Sequence, residues 1–385
     1  MQRKNYYRSE VLRLKQFSIK PQIHRFSNFK DFANEFKVGK GDLVFTHEFI
    51  YESAMKQLNL ESDFMFQEKH GMGEPSSTMI DNVFKDMGGK KYKRIIAVGG
   101  GSVIDIAKLL VLKDAKKTID IFEKRVPIIK DKELIIIPTT CGTGSEVTNL
   151  SIVEIKEKKT KMGLGVEEMY ADYTVLIPEL VKSLPYRFFV FSSIDALIHS
   201  VESFVSPKSN CYTELFSVSA MNTILKGYMK IIENGENFRN EIIEDFLVAS
   251  NYAGAAFANT GVGAVHALSY PLGGNYHVPH GEANYQFFTE VFKTYNHKEP
   301  DGKIKELNRI LAAALNTDPD SDIYETIEKV LNKLISKKHL KEYGMKEEET
   351  EIFTDSVIQT QQRLLVNNYV PFSREDILKI YESLY

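Results

Sequence analysis

Residues 94–110 read RIIAVGGGSVIDIAKLL. Ile95 to Val98 form a short apolar run rich in β-branched residues, as a buried strand requires. Gly99, Gly100, Gly101 and Ser102 follow, and then apolar residues at helical spacing from Val103 to Leu112. A strand, a glycine loop and a helix together suit a pyrophosphate. Glycines let the backbone approach closely, and the helix start offers free N–H groups and a partial positive charge. The spacing is not the GxGxxG of a Rossmann fingerprint, so the alternative is a tight turn without a ligand.

Working outward, similar runs occur at 42–46 (DLVFT), 63–67 (DFMFQ), 133–140 (ELIIIPTT) and 174–178 (TVLIP). Helix-like stretches such as Ser77–Met87 and Val103–Leu112 separate several of them. This alternation predicts an α/β, Rossmann-like dinucleotide domain with a mainly parallel sheet covered on both faces. From about Ser192 the pattern is helical, including Asn240–Asn259, Ile304–Leu315, Ile323–Ile335 and Glu349–Leu365. Small residues at 252–258 (YAGAAFA) predict close helix packing. Ser192 and Ser373 read as helix caps. The boundary falls near Leu184-Pro185, giving an α/β unit at 1–185 and an all-helical, metal-binding unit at 186–385. A cleft is expected between them.

The 385 residues fit two such domains. A formal charge of -3 argues against a nucleic-acid surface. Two cysteines, Cys141 and Cys211, imply no disulfide framework and fit a reducing cytoplasm. No uninterrupted apolar run is long enough to cross a membrane. Residues 1–17 are basic without an apolar core and do not read as a signal peptide.

A second loop, residues 138–148 (PTTCGTGSEVT), follows a buried strand. Its threonines offer hydroxyls to phosphate, ribose or nicotinamide; the bland alternative is a polar loop at the sheet edge. Cys141 reads as a small packed residue.

Asp195 and His199 lie four apart in SSIDALIHSVESF (192–204), on one face of a predicted helix. His266 and His280 lie in VHALSYPLGGNYHVPHG (265–281). One carboxylate and three imidazoles suit a divalent cation, iron(II) or zinc, with a coordination position left open. A cation there would act as a Lewis acid on an alcohol or carbonyl oxygen. Taken singly, each histidine reads better as a hydrogen-bonded core or surface residue; it is the set of four that favours a metal. His277 reads as a proton relay, a substrate contact or a solvated histidine. Glu202 reads as a partner of the ligands or an exposed helix carboxylate.

The strings GGGSVIDIAK, PTTCGTGSEVT, DALIHSVESFVSP and GVGAVHALSYPLGGNYHVPHGEAN resemble, in order, those of the iron-containing (group III) alcohol dehydrogenases. The resemblance implies an N-terminal nucleotide domain, a helical C-terminal domain and a cofactor and metal in the cleft. It matches Asp195, His199, His266 and His280 to metal ligands. It matches Gly99 to Ser102, and Thr139, Thr140 and Thr143, to the cofactor loops, and Lys161 to a lysine near the ribose. The implied reaction is a reversible hydride transfer between a nicotinamide cofactor and a small hydroxy acid or its aldehyde, in a homodimer. NAD is the expected cofactor and NADP the alternative.

Three departures stand out. A histidine four after the first cleft histidine is common in the family; here it is Tyr270, so Tyr270 and His277 are the relay candidates. Where NAD-preferring members place an aspartate after the first strand, Thr46 is followed by His47 and Glu48. The usual TG before the ligand helix is Ser192-Ser193. Arg363, Arg187 and His277 are candidates for a substrate carboxylate. Alternative functions are a short-chain alcohol or butanol dehydrogenase, a dehydroquinate-synthase-like lyase, and a non-enzymatic nucleotide sensor.

Overall fold

A computed structural model describes residues 16–158 and 160–385. Most of the basic N-terminal stretch, residues 1–15, lies outside the described residues. The strands are β1 (Gln22–Arg25), β2 (Asp42–Thr46), β3 (Asp63–Phe66), β4 (Arg94–Gly99), β5 (Glu133–Pro138), β6 (Leu150–Ile155), β7 (Thr160–Gly165) and β8 (Tyr173–Leu176). Six form one sheet in the order β1-β8-β5-β4-β2-β3, and every pairing in it is parallel. The α/β, parallel-sheet expectation therefore holds for the N-terminal part.

The two faces of the sheet explain the continuous apolar runs. Leu43, Phe45, Ile95, Ala97, Leu134 and Ile136 pack on one side with the helices Ser77–Met87 and Gly101–Leu110. Val44, Ile96, Val98, Ile135 and Ile137 pack on the other with the helix Phe29–Glu35. A strand covered on both faces gains from an apolar residue at every position. The antiparallel pair β6–β7 and the edge strand β1 carry mixed polar sequences, and the run-based reading overlooks them.

The rest is helical. The central helix Tyr186–Val205 is mostly buried and is the one helix long and apolar enough to span a membrane among the described residues. Its burial, and the acid and imidazole on it, make it the core of this folded chain. Around it pack Cys211–Asn234, Ile243–Thr260, His280–Lys298 and Lys303–Leu315, and Ala264–Tyr276 joins it through hydrogen bonds of Val265 and His266 to Glu202. Ser192 does not cap this helix. The helix begins at Tyr186 after Pro185, and the Ser192 hydroxyl donates to the Phe189 carbonyl at 3.0 Å inside it. Ser373 does cap its helix, in a reciprocal box with Asp376. The predicted helix over 349–365 is two, Glu349–Thr360 and Gln362–Leu365, parted where Gln361 leaves helical geometry (φ −110°, ψ 23°).

The small-residue stretch does bring backbones close. A Cβ on Gly254, in Ile243–Thr260, would lie 2.7 Å from the Cα of Gly144 in the second loop. Gly144 itself takes a left-handed φ of 56°, which glycine adopts without strain. Loop and helix meet with no side chain between them. Gly254→Val should lower unfolding free energy by about 1–3 kcal/mol, as overpacking does, and weaken nucleotide binding by displacing the loop. Urea denaturation and a nucleotide titration check both; unchanged values would mean the contact has slack.

Candidate metal centre and nucleotide cleft

Asp195, His199, His266 and His280 converge, with one donor atom from each lying within 4.8 Å of the other three. Three helices supply them: Tyr186–Val205 gives Asp195 and His199, Ala264–Tyr276 gives His266, and His280–Lys298 begins with His280. Gly281 makes the last approach feasible. A Cβ there would sit 2.4 Å from the Phe191 carbonyl oxygen.

Each donor is oriented by a further group. The His199 Nδ1 lies 3.2 Å from the Gly142 carbonyl, an acceptor only, so that nitrogen carries the proton. His266 Nδ1 lies 2.6 Å from the Glu202 carboxylate, whose other oxygen accepts the Val265 N–H at 2.7 Å. Asn284 donates to Asp195 at 2.7 Å and lies 3.2 Å from His280 Nε2. Ser269 in turn donates to the Asn284 amide oxygen. The His199 ring stacks on Phe257, with centroids 4.2 Å apart.

These partners decide which atoms face inward. With both Nδ1 atoms engaged, the Nε2 atoms of His199 and His266 meet at 3.0 Å. His266 Nε2 and His280 Nε2 lie 3.7 and 3.8 Å from the same Asp195 oxygen. Facing lone pairs beside a carboxylate fit a divalent cation, and the donor set suits iron(II) or zinc.

The electrostatics agree. Burial drives the His199 pKa down to about 3, against the pull of Asp195. Burial also lowers His280, again opposed by Asp195. His266 is raised: burial works against its charge, but the Glu202 carboxylate outweighs it. Asp195 is lowered although burial opposes ionisation, because three imidazoles and the Asn284 amide favour its charged form. At neutral pH the cage therefore offers a carboxylate and the neutral rings of His199 and His280, while Glu202 favours the charged form of His266.

The nucleotide loops lie side by side. The helix Gly101–Leu110 begins after Gly100 with no side-chain cap, leaving its first N–H groups open. A Cβ on Gly100 would meet the Thr140 methyl at 3.3 Å, and one on Gly101 the Thr143 methyl at 3.0 Å. Thr139 is buried next to them, its N–H bonded to the Gly99 carbonyl at 3.0 Å. The Thr140 hydroxyl oxygen is buried without a hydrogen-bond partner, so it awaits one. Ser102 is half-buried at the helix start.

Lys108, fully buried, ties the two loops together. Its ammonium donates to Ser145 (2.7 Å), Thr148 (3.0 Å) and the Leu150 carbonyl (2.7 Å). Ser145 also donates to Asp105 at 2.7 Å. Sequence reasoning missed Lys108, Asp105 and Asn284 as site-building residues. The spacing from His280 to Asn284, one helical turn, is the signal that was there to read.

The other candidates separate clearly. Tyr270 lies one turn beyond His266, its ring 6.4 Å from that of His280. His277 is exposed in left-handed backbone (φ 54°) at the end of Ala264–Tyr276, and no hydrogen bond joins it to the cage among the described residues. Lys161, on β7, is paired with Glu74. Arg187 is committed to the buried Glu282, with contacts of 2.7 Å to both oxygens. Glu202 is buried and bonded to a ligand, which excludes the exposed-carboxylate reading. Cys141 is buried, and burial pushes its thiol pKa up, as a packed residue requires.

A parallel-sheet nucleotide fold facing a His₃Asp cage in a helical core defines a class: metal-assisted dehydrogenases. The family pattern described as iron-containing alcohol dehydrogenase matches residues 23–178, and its Fe-containing C-terminal counterpart matches residues 189–385. The chain belongs to the iron-containing alcohol dehydrogenase family. It is 59% identical to the 4-hydroxybutyrate dehydrogenase of Clostridium kluyveri, over 97% of this chain and 100% of that one. It is 33% identical to long-chain-alcohol dehydrogenase 1 of Geobacillus thermodenitrificans, over 77% and 75%. The fold matches sulfoacetaldehyde reductase from Bifidobacterium kashiwanohense, solved with NAD+, with a TM-score of 0.83 at 22% identity over 96% and 98% of the chains. It also matches an iron-containing alcohol dehydrogenase of Thermotoga maritima, with a TM-score of 0.78 at 26% identity over 96% and 99%.

Removing one donor should empty the cage. His266→Ala and His280→Ala are expected to lose bound metal almost entirely while the circular dichroism spectrum persists. Glu202→Gln keeps an acceptor but not the charge, and should weaken metal affinity about 10- to 100-fold. Metal analysis after dialysis against a graded chelator reads all three; full retention in both alanine variants would discard the cage.

Proposed function

We propose that this chain is a metal-dependent, NAD-linked dehydrogenase that interconverts 4-hydroxybutyrate and succinate semialdehyde. The observation that carries the reading is the meeting of four possible metal donors near two closely packed glycine- and threonine-rich loops. The substrate follows from the high identity to the Clostridium kluyveri enzyme along nearly the whole chain.

In this reading Asp195, His199, His266 and His280 hold the cation, iron(II) first and zinc as the alternative. Gly99, Gly100, Gly101 and Ser102 receive the pyrophosphate. Thr139, Thr140 and Thr143 bind the cofactor from the second loop, and Lys161 stands near the ribose. When bound, the cation supplies Lewis acidity that makes the alcohol more acidic, and the nicotinamide ring accepts the hydride. The chain's own residues orient these groups and handle the proton. Of the two relay candidates, the face Tyr270 shares with His266 favours it over the exposed His277.

NAD is favoured over NADP by a carboxylate that does not come from β2. Glu68 follows β3, beside the end of β2. One of its oxygens accepts the Glu48 N–H at 3.1 Å and lies 3.0 Å from His47 Nδ1. Its other oxygen is buried without a hydrogen-bond partner. A ribose hydroxyl would satisfy that oxygen, whereas a 2′-phosphate would bring like charge to it. The units 1–185 and 186–385 then act as the nucleotide and metal halves of each subunit in a cytoplasmic homodimer. Its partners are small hydroxy acids and aldehydes, with no role at nucleic acid or membrane.

Metal-loaded enzyme should form NADH from NAD and 4-hydroxybutyrate and stop after chelation. NADPH should bind at least about tenfold more weakly than NADH, a difference that Glu68→Gln narrows. Absence of turnover with 4-hydroxybutyrate would end the substrate reading, and equal binding of the two cofactors in the wild type would end the role of Glu68.

A further inference from the structure

Among the described residues, the guanidinium of Arg363 beside Tyr270 has no carboxylate partner. Arg363 lies on the short helix Gln362–Leu365, just past the break at Gln361. Among the described residues it makes no ion pair, and its Nη2 donates to the Tyr270 hydroxyl at 3.4 Å. On its other side it reaches the β6–β7 hairpin: a Cβ on Gly163 would come within 4.0 Å of the guanidinium carbon. Arg363 thus spans from the helical part to the nucleotide part. Its charge is felt at His266 and at Tyr270.

The neighbouring cations are occupied. Arg187 is held by Glu282, and Lys161 by Glu74. Arg363 is exposed, so its unpaired charge is solvated and open to an anion that arrives with the substrate. The planar fork suits a carboxylate, which it can grip with two parallel hydrogen bonds.

Resting on the proposed hydroxy-acid reading, we infer that Arg363 is the subsite for the substrate's far carboxylate, with the Tyr270 hydroxyl orienting its fork. In an extended four-carbon hydroxy acid the hydroxyl and carboxylate are about 5 Å apart, given bonds of about 1.5 Å. The groups follow one another in that order: His280 of the cage, the Tyr270 ring 6.4 Å from its ring, and Arg363 3.4 Å from the Tyr270 hydroxyl. A substrate without the carboxylate has nothing to offer this end. The subsite therefore separates ω-hydroxy acids from plain alcohols of the same length.

The test compares two substrates and one probe. In Arg363→Met, the ratio of kcat/KM for 4-hydroxybutyrate to that for 1-butanol should fall about 10- to 100-fold, the range for a lost charge-assisted pair, mostly through KM. Arg363→Lys, which keeps the charge without the fork, should fall between. Tyr270→Phe should lower the ratio less than Arg363→Met does. Butyrate, titrated calorimetrically into the metal- and NADH-loaded enzyme, should bind the wild type and lose affinity in Arg363→Met. An unchanged ratio, or butyrate binding indifferent to Arg363, overturns the subsite. If the wild type fails on 4-hydroxybutyrate, the functional reading falls, and the butyrate titration still decides the subsite on its own.

Discussion

The structure depends on a geometric demand: four ionisable side chains, three of them almost fully buried, must aim at one point. A buried polar group without a partner costs free energy, so every outward-facing atom of the cage needs a neighbour that satisfies and directs it. Gly142 and Glu202 meet that need for His199 and His266, and Asn284 bonds the Asp195 oxygen that the rings also face. Because those partners come from the second loop and from two helices, the cage fixes the relative position of both halves of the chain. Three of the four donors then present their metal-binding form at neutral pH, and His266 is held by an opposing carboxylate.

The same economy of contacts runs through the cofactor side. Gly142, which accepts from His199, lies in the loop that rests on Gly100 and Gly101 and that Lys108 anchors from below. A shift of that loop would disturb the phosphate cradle and a metal ligand together. The absence of side chains between Gly144 and Gly254 holds the loop against the helical core. Nucleotide loop, core helix and cage therefore form one rigid unit rather than three adjacent features. Arg363 and Tyr270 stand apart from it, on the open side, where substrates of different chemistry can be told apart.

Much of this was legible from the chain. Strands buried on both faces declare themselves as continuous apolar runs, and Asp195 and His199 share a face by helical spacing alone. The errors have physical reasons. Ser192 looks like a cap because a hydroxyl near a helical pattern resembles one, yet it bonds backward inside the helix. The β6–β7 pair has an alternating, charged sequence that resembles a loop. The helix over 349–365 breaks at Gln361 without a proline or glycine to announce it.

By itself the sequence determined the alternation of buried strands and helices, the glycine-rich loop and which residue types could bind a cation, because these rest on local periodicity and side-chain chemistry. Only the tertiary structure decided that Glu202 faces His266 across 64 positions and that Asn284 joins Asp195. It also decided that Arg187 is already taken while Arg363 is not. Those facts are distances between segments far apart in the chain, and no local pattern encodes a distance.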